Sequence, residues 1–459
     1  MLGQLLKPEY EELIHARNWD ALRDAFADLE PPDVAELLET VSPQDSAVVF
    51  RLLPRDQAAD TFEHLPLDRQ TRLIEVMAEG QLGSLLEEMA PDDRTRLLEE
   101  LPWRVTQRLL NTLSPEERRI AGALLGYPER SAGRYMTPEY VSFREDMTVA
   151  EALAHVRRHG KDRETLNVVY VVDRAGCPVL AVRLATLVLA DPQARVMDLD
   201  HGMLVSIPAT APREDVVAAF EKYDREVLPV TDSRGALVGI ITVDDVLDVQ
   251  AEEATEDIHK LGGMEALEEP YLTADILTMV RKRGTWLALL LVGEMLTATA
   301  MAFFEHDIAR AVVLTLFIPM IISSGGNSGS QATSLIIRAL AVREVELPDW
   351  WRVCRREALS GLILGAFLGL IGFVRIAFWP TAAAVYGPHY RQVALVVALS
   401  LVGVVMFGTL AGSMLPFLLR RLKLDPATAS APFVATLVDV TGLLIYFTLA
   451  SVILKGTLL

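Results

Sequence analysis

One carboxylate, Asp439, stands in the middle of a long apolar run, Ala431 to Leu454, APFVATLVDVTGLLIYFTLASVIL. That run is long enough to span a bilayer. A charge near mid-membrane costs several kcal/mol unless it meets water, a partner or an ion. Asp439 therefore has two readings, a structural acid hydrogen-bonded to a neighbouring helix or a lining group of a cation path. A spanning helix has little other use for a lone carboxylate, which favours the path. Residues 281–459 hold nine acids, and seven of them fall in or beside polar connections; only Asp439 and Glu294 lie inside apolar spans.

A second concentration of oxygen ligands lies upstream, in DDVLDVQAEEATEDIHKLGGMEALEEPYL, from Asp244 onward. Helical spacing puts Asp245, Asp248 and Glu252 on one face, at i, i+3 and i+7. Glu253, Glu256 and Asp257 form a second set. Like charges this close repel, and a divalent ion would relieve them. Mg²⁺ and Ca²⁺ prefer oxygen ligands, and Mg²⁺ usually keeps several of its waters. The other reading is a solvated acidic linker, the usual meaning of a charge run.

The elements that must position these groups follow from composition. Residues 1–280 carry 53 acids and 28 bases, whereas residues 281–459 carry 9 acids and 15 bases. A strongly acidic soluble part thus precedes a slightly basic membrane part. That balance excludes a nucleic-acid binder, which needs a basic face. Two distant cysteines, Cys177 and Cys354, read as free thiols in a reducing compartment and put the soluble part in the cytosol. The N-terminal MLGQLLKPEYEE has no basic segment leading into an apolar run, so no cleaved signal peptide is expected.

Residues 1–130 show a weak repeat. Pro32, Pro43, Pro54, Pro66, Pro91 and Pro115 recur about once per 11–12 residues, with one slot skipped between Pro66 and Pro91. Proline suits the first turn of a helix. Each unit reads as one short helix, and stacked units would share a buried stripe as a small α-solenoid. The acids here are mostly caps and solvated faces, with Asp92-Asp93 somewhat better placed to meet a metal. Residues 131–249 change rhythm, alternating β-rich runs such as LNVVYVVD and LVGIITVDD with amphipathic helices. Two halves share one order and resemble a tandem pair of CBS domains. Gly239, Thr242 and Asp245 carry the pattern in the second half. In the first half Ala185-Thr186 stands where an arginine–aspartate step is usual, which places adenine-nucleotide binding at the pair in doubt. A dimerisation module without ligand is the other reading.

Residues 250–283 form the acidic connecting helix, and 284–459 the membrane part. Apolar windows near 284–304, 310–340, 357–379, 392–420 and 427–454 give five spans. Arg281-Lys282-Arg283, the Arg343–Arg356 connection and Arg420-Arg421 with Lys423 lie on one side. The positive-inside rule then puts the N-terminus inside and the C-terminus outside. Span two holds IPMIISSGGNSGSQATSLIIRALA, a polar and glycine-rich stretch that must be buried in protein or line a watery cavity. Its glycines serve close helix contact or the pore, and both readings stay open. Pro416 in span four frees a backbone carbonyl.

EATEDIHKLG (253–262), SGGNSGSQATSLIIRALA (324–341), GSMLPFLLRRL (412–422) and LVDVTGLLIY (437–446) together resemble the MgtE magnesium channels, and the order of parts does so over essentially the whole chain. The resemblance implies a multidomain protein. A cytosolic α-solenoid and an α/β CBS-domain pair precede an all-α membrane domain of five transmembrane helices per subunit. It implies a homodimer in a bacterial plasma membrane, with Asp439 of both copies facing a pore for hydrated Mg²⁺. It further implies that cytosolic Mg²⁺ closes the pore through Asp60 and Asp92 in the stack, Glu214 and Asp224 in the second CBS half, and Asp245, Asp248, Glu253, Glu256 and Asp257 on the connector. Pro212 and Arg96 stand where acids can occur, which implies fewer sensor ions or weaker closure. Ala431 stands where an asparagine can occur, and Glu294 where a small residue is common.

A Mg²⁺-selective, Mg²⁺-gated channel is thus the leading expectation, and no enzyme. A broader divalent path for Co²⁺, Ni²⁺, Zn²⁺ or Mn²⁺ with weak gating is the nearest alternative. A membrane metalloprotease is disfavoured, since there is no H-E-x-x-H motif. A receptor that only reports Mg²⁺ leaves Asp439 and the polar second span without a use.

Overall fold

The computed structural model describes residues 10, 12–14, 16, 18–27, 29–161, 163–199, 202–267, 271 and 274–458. Most of the N-terminal stretch read above for a leader lies outside them. The chain divides into two compact units, Met1–Glu253 and Ala254–Leu459, and the division falls inside the connector helix Val243–Leu261.

The first unit opens with the helical stack. From Pro31 on, a helix begins every twelve residues, at Pro31, Pro43, Arg55, Leu67, Glu79, Pro91, Trp103 and Pro115. The proline rhythm is the visible half of this period. The slot that looks skipped is the helix Glu79–Glu88, which starts from Ala78 without a proline, and Pro102 opens a further helix that the spacing also hides. Where proline sits at the first helical positions, its missing N–H costs nothing. Ser42 and Ser114 add side-chain caps, each accepting a backbone N–H three residues on. Helices two places apart pack on one another through most of the stack, so Leu37, Leu38, Phe62, Leu82, Leu86 and Leu109 join one continuous core.

Two three-stranded sheets follow. In the first, β1 (Ser142–Arg144) runs parallel to β2 (Val168–Val172), which pairs antiparallel with β3 (Pro178–Arg183). In the second, β4 (Ile207–Pro208), β5 (Val227–Thr231) and β6 (Leu237–Thr242) repeat that order. Both hairpins close on an Asp–Gly turn. Asp173 Oδ1 accepts from the N–H groups of Ala175 and Cys177 at 2.8 Å, and Gly176 supplies the positive φ. Asp232 and Gly235 do the same in the second half. Gly239 is needed for a different reason: a Cβ there would fall 2.9 Å from the Thr137 carbonyl. Thr137 and Ile240 exchange backbone hydrogen bonds of 2.9 Å at that point.

Among the described residues, the second unit holds five helices long and apolar enough to cross a membrane, each overlapping an expected window: Ile276–Phe303, Val312–Ala341, Leu347–Ala377, Tyr390–Arg421 and Ala431–Ile453. Small residues set their spacing. Span four lies so close to span two that a Cβ on Gly408 would stand 2.4 Å from Gly325 O, and one on Gly412 2.2 Å from Gly329 O. Gly361, Gly365 and Gly369 recur one turn apart on span three and admit the backbone of span four in the same way. The glycines of span two are therefore packing residues. Pro416 leaves the Gly412 carbonyl without its helical donor. The Thr333 hydroxyl stands 3.0 Å from that oxygen and 2.9 Å from Gly329 O, so span two repairs the gap in span four.

Candidate functional site

Asp439 sits near the middle of the fifth span, half-buried. Its carboxyl meets that of Glu294 on the first span. The seam between spans two and five fixes its level. Ser330 Oγ lies 3.3 Å from Ala431 O, Gly326 faces Ala435, and Gly442 faces Ile322, so the two helices run antiparallel. Asp439 thus lies level with Ser323 and Ser324, with Asn327 about one turn along span two. Ser323, Asn327 and Gln331 recur at i, i+4 and i+8 and are exposed, while Gly325, Gly329 and Thr333 are buried against spans four and five. Span two therefore has two faces, a small-residue face that packs and a polar stripe on its open side. Sequence spacing alone does not separate packing from lining, because both residue types alternate within one turn.

Within the first unit the connector begins against the stack. Its first turn offers Asp244 and Asp245, and the stack helix Pro91–Glu100 offers Asp92 and Asp93. Glu63 and Glu164 complete a group of six acids that stand within reach of one another's charge. Where a carboxyl in this group is raised, burial is the largest cause. It pushes Glu63 up to about 8, aided by the Asp93 charge and opposed by a 3.1 Å hydrogen bond from Ala90 N–H. Burial also raises Asp92 well above the usual carboxylate range, with Asp245 and Asp93 adding to it. Glu164 is pushed up to about 7 by burial, then by Asp244 and Asp93. Asp245 is likewise pushed up to about 7 by burial, although the Thr242 hydroxyl donates to it at 2.7 Å and pulls the other way.

Asp92 is the most telling member. It is 5% exposed, and its buried Oδ1 has no hydrogen-bond partner among the described residues. A buried acceptor left unmatched among like charges calls for a cation. Among the described residues, no three acidic, histidine or cysteine side chains are arranged to hold a metal ion directly. The donor set suits an ion bound through its waters, the habit of Mg²⁺. Glu63, Glu164 and Asp244 escape a sequence reading. The first two come from separate segments and share no motif with the rest, and Asp244, four residues before Asp248, is not distinguished from its neighbour Asp245 by spacing alone.

The remaining candidates divide. Asp60 is exposed and adds to the field on Glu63. Asp248 pairs with Arg96 at 3.1 Å, and Glu253 pairs with Arg213. Glu256, in the second unit, shares Lys260 with Asp425, and Asp257 is half-buried there. Glu214 is exposed in the first turn of helix Arg213–Tyr223. Asp224 ends that helix in a left-handed conformation and lines a cleft of about 410 Å³ with Arg183, Thr186 and Arg225. Asp92 and Asp245 are thus brought together, whereas Glu214 and Asp224 are not part of that acid group.

Comparison with known proteins fits this arrangement. The model described as MgtE, divalent cation transporter, matches residues 318–449; the MgtE intracellular N domain matches 29–130, and the CBS domain matches 132–188 and 196–252. The magnesium transporter MgtE of Thermus thermophilus is 43% identical over 350 residues, 76% of each chain. That of Enterococcus faecalis is 33% identical over 340 residues, 74% of this chain and 73% of the relative. A crystal structure of the cytosolic domain of the Mg²⁺ channel MgtE in complex with ATP is similar at 37% identity and a TM-score of 0.50, covering 52% of this chain and 98% of that one. The soluble part of a magnesium transporter aligns at 27% identity and a TM-score of 0.51, covering 55% and 99%. With the stack, the paired sheets and the five spans in this order, and such identity over three quarters of its length, the chain belongs to the MgtE family of divalent cation transporters.

Proposed function

We propose that this chain carries Mg²⁺ into the cytosol along a path lined by Asp439, and that cytosolic Mg²⁺ closes the path. The observation that carries the first part is the level of Asp439 beside the exposed stripe Ser323, Asn327 and Gln331. Polar groups on the open side of a spanning helix need water or protein against them. A second copy facing this one would enclose the stripe and bring two Asp439 carboxylates to one axis, so the working form is a homodimer. Such a site holds a hydrated divalent ion through its waters and releases it. The positive loops argue for a stack and CBS pair on the cytosolic side.

For closure, Asp92 and Asp245 with Asp93, Glu164 and Asp244 would hold the regulatory ion. Binding that is stronger in the compact state shifts the population toward it. Relatives named as magnesium transporters support the cargo. Glu294 beside Asp439 favours a second reading, a path also open to Co²⁺, Ni²⁺, Zn²⁺ and Mn²⁺, since extra carboxylate oxygens offer direct ligation, which first-row transition ions accept more readily than strongly hydrated Mg²⁺. The cleft near Asp224 offers Arg183 and Arg225 to a phosphate, but Thr186 stands where the CBS pattern usually has the aspartate that holds a ribose. ATP is accordingly proposed as a weak ligand, checked by direct titration.

Uptake into vesicles reconstituted with the full chain tests the path. Asp439→Ala is expected to reduce Mg²⁺ flux by at least about tenfold. Unchanged flux would end the assignment. Mg²⁺ in the millimolar range, on the order of that needed for weak carboxylate sites, is expected to slow proteolysis near Glu253–Leu261.

A further inference from the structure

The connector helix meets its neighbours through two electrostatic sectors of opposite design. Its first turn, Asp244 and Asp245, faces carboxylates. One and two turns further on, Asp248 and Glu252 face the Arg96 guanidinium, with Nη1 3.1 Å from Asp248 Oδ2 and Nη2 on Glu252 Oε1. Arg96 stands on the same stack helix as Asp92, four residues later, so one helix presents an acid and then a base to one partner helix. Glu252 is shared. Its other oxygen lies 3.4 Å from Arg213, which also binds Glu253 and stands 3.3 Å from the Tyr135 hydroxyl. Arg213 keeps only 6% of its side chain exposed, whereas Arg96 keeps 44%. A guanidinium buried that far needs its carboxylates in place. Stack, second CBS half and connector are thereby joined through Glu252 without a metal.

We propose that a guanidinium clamp, Arg96–Glu252–Arg213, holds the connector to the stack in the absence of divalent ions, so that only the Asp92–Asp245 sector demands a cation. The fork of an arginine can hold two carboxylates at once, a service otherwise done by a bridging ion. The clamp makes part of the closed arrangement permanent, and the cation adds to it rather than creating it. This rests on reading the Asp92–Asp245 sector as cation-regulated.

The test is limited proteolysis of the connector in the full-length protein, in chelator and across a Mg²⁺ series, at low ionic strength. Arg96→Ala is expected to raise cleavage in chelator by about threefold or more, the scale of a lost partly exposed ion pair, and to converge on the parent at saturating Mg²⁺. Added salt should raise cleavage of the parent and leave Arg96→Ala little changed, because screening weakens the half-exposed Arg96 pairs and scarcely reaches the buried Arg213 ones. Asp92→Asn should blunt the Mg²⁺ response without raising cleavage in chelator. The exchange Arg96→Asp with Asp248→Arg should return protection in chelator. Parent-like cleavage of Arg96→Ala in chelator, or an exchange as open as Arg96→Ala, would overturn the clamp. If Mg²⁺ protects no variant while Arg96→Ala is still more open, cation regulation fails and the clamp stands.

Discussion

Asp439 on the fifth span and Glu294 on the first meet carboxyl to carboxyl, next to the point where Gly293 admits Thr436. A Cβ at Gly293 would stand 2.9 Å from Thr436 Cγ2, so the two helices are close at this level. The contact gives the proposed path two acids per chain where one would serve.

The two acids are expected to differ in weight. Glu294→Gly should keep Mg²⁺ flux within about threefold of the parent while narrowing passage of Co²⁺ and Ni²⁺, since it removes oxygen ligands beside Asp439 rather than Asp439 itself. Asp439→Asn should remove flux of every divalent ion tested. Competition uptake in vesicles reads both. Equal losses at the two positions would make Glu294 part of the essential site.

Thr333 and Pro416 make a separate prediction about stability. Thr333→Val takes the hydroxyl away from the Gly412 carbonyl and should cost about 1–3 kcal/mol, the cost of an unmatched buried acceptor. Pro416→Ala restores the backbone donor to that carbonyl. The Thr333→Val penalty should therefore be smaller in the Pro416→Ala background. Thermal unfolding of the four proteins of this cycle measures the coupling. Simple additivity would mean that Thr333 serves only Gly329.

Gly412→Ala probes the same seam from the other side. The new methyl would stand 2.2 Å from Gly329 O, and backbone cannot yield as a side-chain tip can. Overpacking of this kind costs about 1–3 kcal/mol or more. A substantially lower melting temperature is expected. A neutral result would mean that spans two and four separate readily.

The order of parts was legible because each has its own rhythm: short helices on a twelve-residue period, paired β–turn–β units, and long apolar spans. Asp439 was legible for a plain reason, a charge where apolar residues belong. The stack period was half hidden because not every helix start carries a proline. Ala90 leads into Pro91, which marks its helix, whereas Ala78 leads into Glu79 and opens an equivalent helix unmarked. The acid group was legible only in Asp92, Asp93 and Asp245. Glu63 and Glu164 reach it through tertiary folding, and no spacing links positions so far apart in the chain. Arg96 read as a missing ligand; in the fold it is the partner of Asp248 and Glu252.

The acid group also sets a pH dependence. Glu63 moves from 4.5 to about 8 on folding, and Asp245 from 3.8 to about 7. Between those limits the compact unit holds protons that the unfolded chain has released. Stability therefore falls as pH rises through that window, because the folded form binds more protons. A divalent ion supplies the missing positive charge and should flatten the slope. In chelator, the melting temperature of the full chain is expected to drop from about pH 5.5 to about pH 8, the window set by these shifts, and Mg²⁺ should recover most of the loss at the upper end. Glu63→Gln should reduce the slope without Mg²⁺, since a neutral amide has no proton to lose. A melting temperature that rises with pH in chelator would mean that these carboxylates do not oppose one another in the folded chain.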